Sequence, residues 1–225
     1  MTEIQFNEIK ERLADWRSER GLTYENQREE FLGNVFEKVS EYFRAKDDLE
    51  RVEALCDIAV FFFNAFELKF GEISNIKRAG MIHLIDHFTS YFIEHNNKTV
   101  YNNSKDEDFE YLLIVEIEIL VKNLGFDFYK CMLEKIKEIE SRIGFYDERL
   151  KKFVDTICAF SKDEALSNVS KDFGFLGNSI IYKLTQEDKN FWFITCKEIE
   201  TNLQIDYKVK KIYKADYKSC RLWKC

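Results

Sequence analysis

Apolar residues recur at helical spacing through the first two thirds of the chain and at strand spacing only in the last third. Residues 5–20 place Ile9, Leu13 and Trp16 on one stripe, the repeat of an amphipathic helix, and Gly21 is positioned to stop it. Thr23 can cap a second helix reaching to about residue 45, with Phe31, Leu32, Val35, Phe36, Val39, Tyr42 and Phe43 as its apolar positions. A third helix, over about residues 48–70, is apolar nearly all round after Ile58, which predicts a central place. Further helices are expected over 73–95, 109–124 and 127–143. The polar run 96–108 is expected to be a loop, with Gly125 and Gly144 as stops. Six helices joined mostly by short connections predict an α-helical bundle.

Beyond about residue 146 the helical period fades. Gly174, Gly177 and Asn178 punctuate the chain, and residues 191–196 and 205–213 read as strands. In the second of these Ile205, Tyr207 and Val209 alternate with Asp206, Lys208 and Lys210. The expected fold is therefore mainly α: a helical bundle over residues 1–150, then a small C-terminal α+β or irregular appendage over 151–225.

Composition adds three constraints. The 225 residues contain no proline and 21 phenylalanines, which suits long helices around a large aromatic core. The formal net charge of −7 argues against a nucleic-acid partner, which needs a basic footprint. The first residues show no basic segment followed by an apolar one, and no run approaches the roughly 18 apolar residues of a membrane span. The expectation is a cytoplasmic protein with no membrane partner, its six cysteines reduced.

Candidate chemistry lies in four acids. Glu37 and Glu41, and then Glu53 and Asp57, are each spaced i, i+4, which stacks each pair on one helix face. Folding the chain back about Lys46 or Asp47 sets Glu41 level with Glu53 and Glu37 level with Asp57. Four converging carboxylates repel one another and call for cations, of which Mg²⁺ is the natural choice, being a hard ion with oxygen ligands. Each acid alone also reads as an ordinary solvated position, least so Asp57, which opens an apolar run. His83 and His87, spaced i, i+4 beside Asp86, lack an HExxH pattern and read as ordinary helical histidines. P-loop, GxGxxG and GxSxG signatures are absent.

The segments FEKVSEYFRA (36–45) and VEALCDIAVFFFNAF (52–66) resemble the paired acidic helices of the MazG-like family of all-α nucleoside triphosphate pyrophosphohydrolases, phage-type members especially. Trp16 with Arg20, Gly21 and Leu22 resembles the family's preceding helix and turn. LGFDFYKCMLEKIKEIESRIGFY (124–146) resembles its closing helix, and YKADYKSC (213–220) a phage-type ending. The likeness covers roughly residues 8–66 and 124–155 and leaves about 68–109 as an insertion. Two positions depart from the pattern: Lys38 stands where the first motif has a second glutamate, and Ala54 where the second has its glutamate. The lysine offers its own positive charge in place of one cation.

The resemblance implies a bundle of that family's type and Mg²⁺- or Mn²⁺-dependent cleavage of a nucleoside triphosphate, a deoxynucleotide or aberrant nucleotide, to monophosphate and pyrophosphate. It implies Glu37, Glu41, Glu53 and Asp57 as metal ligands, with Glu41 or Glu53 as general base. It implies Asn64, Lys137 and Arg142 as substrate contacts, and a homodimer or homotetramer as the assembly. Two alternatives stay open: a dUTPase-like hydrolase of narrower choice, and a nucleotide-binding helical protein with impaired catalysis. For Lys137 and Arg142 a pairing with Glu134 and Glu138 on the helix surface is equally open.

Overall fold

The computed structural model describes residues 1–71, 80–96, 109–147, 149, 152–173 and 180–222. It divides into two compact units, residues 1–136 with 216–225 and residues 137–215.

The first unit is helical. Its elements are α1 (Glu3–Glu19), α2 (Tyr24–Arg44), α3 (Asp48–Ala65), α4 (Met81–Asn96), α5 (Phe109–Asn123) and most of α6 (Phe128–Ser141). Local chemistry sets the starts. The Thr2 hydroxyl accepts from Gln5 N–H while the Gln5 side chain answers the Thr2 N–H, and Thr23 and Asn26 repeat the arrangement on α2. Asp47 caps α3 by accepting from the Leu49 and Glu50 N–H groups. The three residues between α2 and α3 reverse the chain, so the two helices pack along each other as an antiparallel pair.

α3 is the axis of this unit. Val52, Leu55, Ile58, Ala59 and Phe62 are fully buried, and α1, α2, α5 and residues 217–220 all lie against it. Phe6 of α1 meets Phe63 and Tyr111 with ring centroids 5.2 and 5.4 Å apart, and Phe31 of α2 meets Phe62 at 4.9 Å. Leu84 and Phe88 bring α4 into the same core. The stretch read from sequence as an insertion therefore supplies core side chains.

α3 stops at Ala65, five residues short of the expected end. Phe66 turns extended (φ −129°, ψ 147°), packs its ring 5.1 Å from Phe31, and is followed by buried Leu68, whose carbonyl accepts from the Lys10 ammonium at 2.7 Å. Tertiary burial here overrides a local preference for helix. Of the helix expected over 73–95, residues 73–79 lie outside the described residues. No helix among the described residues is long and apolar enough to cross a membrane.

The second unit corrects the expected fold class. The chain as a whole is α+β and not the expected mainly α bundle with a small α+β or irregular appendage, because residues 137–215 build a four-stranded mixed sheet. Strands β1 (Gly144–Asp147) and β2 (Lys152–Asp155) form an antiparallel pair. The sheet proper runs in the order β3 (Cys158–Ala159), β6 (Gln204–Lys211), β5 (Phe191–Glu198), β4 (Ile180–Glu187), with β3 parallel to β6 and the other pairs antiparallel.

Helix α7 (Lys162–Phe173) covers one face of this sheet. Ala165 and Val169 of α7 pack on Ala159, Trp192, Ile194, Cys196 and Val209, with Ile180, Tyr182 and Leu184 at the margin. The physical reason is period-2 burial: every second residue of β5 is buried, and Ile180, Tyr182 and Leu184 repeat the pattern on β4. Asp188 closes the β4–β5 turn by accepting from the Asn190 and Phe191 N–H groups at 2.7 Å each, bonds that hold its carboxyl below the usual range.

Candidate functional site

The acids singled out from sequence lie on the α2–α3 pair, and a lysine stands between two of them. The Lys38 ammonium lies 3.0 and 2.9 Å from the two Glu41 carboxylate oxygens and 3.5 Å from Asp57 Oδ2. A second ammonium, that of Lys135 on α6, lies 2.6 Å from Asp57 Oδ1. Asp57 thus carries a lysine on each oxygen. Its side chain is 14 % exposed and that of Lys135 only 5 %, so the contact is nearly dry. Lys38 is 21 % exposed and Glu41 48 %, so their contact faces water.

The charges act on one another. Burial is the largest influence on Lys38 and would lower its pKa. The attraction of Asp57, the hydrogen bond and charge of Glu41 and the charge of Glu37 together outweigh it, and the pKa is raised. The ammonium therefore stays protonated at neutral pH and cannot serve as a base.

The other expected residues are placed differently. Glu37 is exposed, one residue before Lys38, and Glu53 is half-buried on α3 one turn before Asp57. Asn64 is buried in a separate polar knot: its Oδ1 accepts from Arg17 Nη1 at 3.2 Å, the same nitrogen reaches the Phe63 carbonyl, and the guanidinium lies 4.0 Å over the Tyr24 ring. Lys137 and Arg142 belong to the second unit. Lys137 is exposed, and Arg142 Nη2 donates to Glu138 Oε1 at 3.3 Å, the helix-surface pairing left open from sequence. His87 pairs with buried Glu116 at 2.8 Å.

Lys135 and Arg17 are the residues that sequence reading passed over. Both carried a signal: each sits one turn from a core residue of its own helix, Cys131 and Leu13, so a long cation falls on the buried face and requires a partner. Three thiols also meet out of water in this unit. Cys56, Cys131 and Cys220 are buried, and the Cys220 thiol is pushed well above its ordinary range by its bond to Cys131 and by burial, which makes it unreactive. Cys225 lies outside the described residues.

Whether these residues suit a metal follows from the donors. No group of three or more His, Cys, Asp or Glu side chains among the described residues is arranged to hold an ion, so the four expected carboxylates do not form a ready-made cage. Glu41 and Asp57 are drawn to one point by Lys38. One or two carboxylates are what Mg²⁺ takes from protein when substrate phosphates and water complete its shell, so that pair suits an ion that arrives with a phosphate ligand. No known family model, curated protein or solved structure shows significant similarity to the chain.

Proposed function

We propose that the helical unit is a nucleoside triphosphate pyrophosphohydrolase that takes its divalent cation together with the nucleotide. The observation that carries this reading is the Lys38 ammonium shared by Glu41 and Asp57 across two helices. A positive ion at that point marks where the fold gathers negative charge. Without added cations the acids would repel a triphosphate, so substrate must bring charge compensation with it.

In this reading Asp57 and Glu41 hold the ion, and Mg²⁺ or Mn²⁺, when bound, supplies charge neutralisation and alignment of the phosphate oxygens. Glu53, one turn along α3, is the general base, taking a proton from water in reach of Asp57. Lys135 stays on Asp57 and fixes the direction of its second oxygen. Lys38, displaced from Asp57, keeps Glu41 within reach at i+3 and presents its charge to the phosphates. Glu37 shapes the rim. The assembly is a homodimer or homotetramer, and the substrate a deoxynucleotide or aberrant nucleotide, with a narrower dUTPase-like preference as a variant of the same chemistry.

The test is pyrophosphate release across canonical and modified nucleotides, with and without Mg²⁺. Cation-dependent release is expected, lost in Asp57→Ala and reduced at least tenfold in Glu53→Gln. Full activity in Asp57→Ala refutes the assignment. A second reading, a nucleotide-binding protein without hydrolysis, is favoured by Lys38 standing at a position the family resemblance gives to an acid. It wins if nucleotides bind in the presence of Mg²⁺ and no pyrophosphate appears from any of them.

A further inference from the structure

The sheet of the second unit has two unlike faces. One is covered by α7. Strand register defines the other, because directly opposed residues share a side. Across β5 and β6, Phe193 opposes Lys208 and Phe191 opposes Lys210. Across β4 and β5, Lys183 opposes Thr195 and Ile181 opposes Lys197. This side therefore carries two phenylalanine rings on a central strand with four lysines around them. Lys183, Lys197 and Lys208 are exposed, and both rings are half-buried. The one acid on this side of β4–β6 is Asp206, which is engaged by the Thr195 hydroxyl.

The rings are turned outward. The Lys208 ammonium lies 4.0 Å over the Phe191 centroid and 5.9 Å from that of Phe193, and the Lys210 ammonium lies 5.0 Å over Phe191. A solvent-side cation can rest over a ring only if that ring's face is reachable. The two centroids are 6.4 Å apart, side by side along one strand. Charge follows the same division. Residues 137–215 hold fourteen lysines and arginines against thirteen acids, so the acidic excess of the chain lies outside them.

We propose that this face binds single-stranded nucleic acid, with bases lying on Phe191 and Phe193 and phosphates reaching Lys183, Lys197, Lys208 and Lys210. Outward aromatic faces ringed by flexible cations match a polymer that alternates flat rings with anions, and require no sequence-specific hydrogen bonds. An acidic peptide would satisfy the lysines but leave the rings without a flat partner. On binding, the lysines exchange their ring contacts for phosphates.

The experiment is fluorescence anisotropy of the full chain with labelled oligothymidylate and oligouridylate over a salt series. Saturable binding is expected, with log K falling against log salt at a slope of about −2 to −3, since each of three to four phosphates contributes about −0.7 for a single strand. Lys208→Ala and Lys210→Ala should each weaken binding and flatten the slope by about 0.7. Phe193→Leu, which keeps an apolar side chain without a π-face, should weaken binding about tenfold and leave the slope unchanged. Lys162→Glu, on α7, should change neither. The proposal is overturned by any of three results: no saturable binding at the lowest salt, binding indifferent to the two lysine variants, or polyglutamate competing as well as the oligonucleotides. The last would make an acidic protein the partner.

Discussion

Replacing Asp57 by asparagine separates two electrostatic descriptions of the α2–α3 pair by the sign of one measurement. If the acids are held in mutual repulsion awaiting cations, removing a charge stabilises the protein. If Asp57 is already compensated, removing it takes a close counter-charge from both lysines. The distances favour the second: 2.6 Å to Lys135 and 3.5 Å to Lys38. At an effective dielectric of about 20 these correspond to gross attractions of roughly 6 and 5 kcal/mol, most of which is offset by desolvation.

Truncating one side of a buried pair costs about 3–5 kcal/mol, because the remaining charge stays buried without its partner. The side chain of Lys135 is 5 % exposed, so its charge stays buried when this counter-charge is removed, whereas the more exposed Lys38 keeps Glu41. The expected loss for Asp57→Asn is therefore about 3 kcal/mol, at the lower end of that range. Urea unfolding followed by helical circular dichroism, without divalent ions, gives the number as a change in midpoint at constant slope. A neutral or stabilising outcome would refute the compensated-pair description, and with it the claim that Lys135 fixes Asp57.

Two further outcomes follow. Burial is the chief cause that pushes Tyr111 and Tyr207 up to about 12, and a folded-state pKa above the ordinary 10.0 means that folding favours the neutral phenol. Their contribution is complete below pH 10 and is lost between pH 10 and 12, and the raised Lys38 acts in the same direction above its ordinary 10.5. Thermal midpoints should fall over that window while tyrosinate absorbance rises, and Tyr111→Phe should shrink the fall; a midpoint that is flat to pH 12 contradicts it. Phe62→Ala empties a fully buried site against Phe31 and should cost about 3–5 kcal/mol in the same urea assay, while a loss under ~1 kcal/mol would mean that α3 is not the axis of the core.

Much of the helical unit was legible from periodicity and caps, because helix signals are local. Thr23, Gly21 and the turn after Arg44 all stand where residue type requires. The end of α3 was not legible, since nothing between Ala65 and Phe70 breaks a helix; the break comes from Phe66 burying itself against Phe31. α7 was missed although Ser161 accepts from Glu164 N–H in the manner of an N-cap, because its fully buried positions are the small Ala165 and Val169, with Leu166 only partly buried beside them. β4 was missed because its outward positions include Ile181, which blurs the alternation. At the site, spacing found Glu41 and Asp57 but not Lys135, whose partner lies 78 residues earlier. Whole-chain charge concealed the lysine-rich sheet face for a similar reason: a sum over residues carries no information about place.

The backbone comes home late. After the sheet is complete, residues 216–222 return to the helical unit. There the Asp127 N–H donates to the Cys220 carbonyl, Leu222 N–H to that of Gly125, and Asp216 N–H to Glu134, while Cys220 fills the space between α3 and α6. During synthesis the helices must wait, incompletely sealed, until some eighty intervening residues have left the ribosome. The sheet can mature first, and the helical half is closed by the last part of the described chain to be made. Cutting the protein after Ile136, within α6, would thus affect the two products unequally: the later piece keeps the sheet and α7, and the earlier one loses both the end of α6 and the segment that closes it.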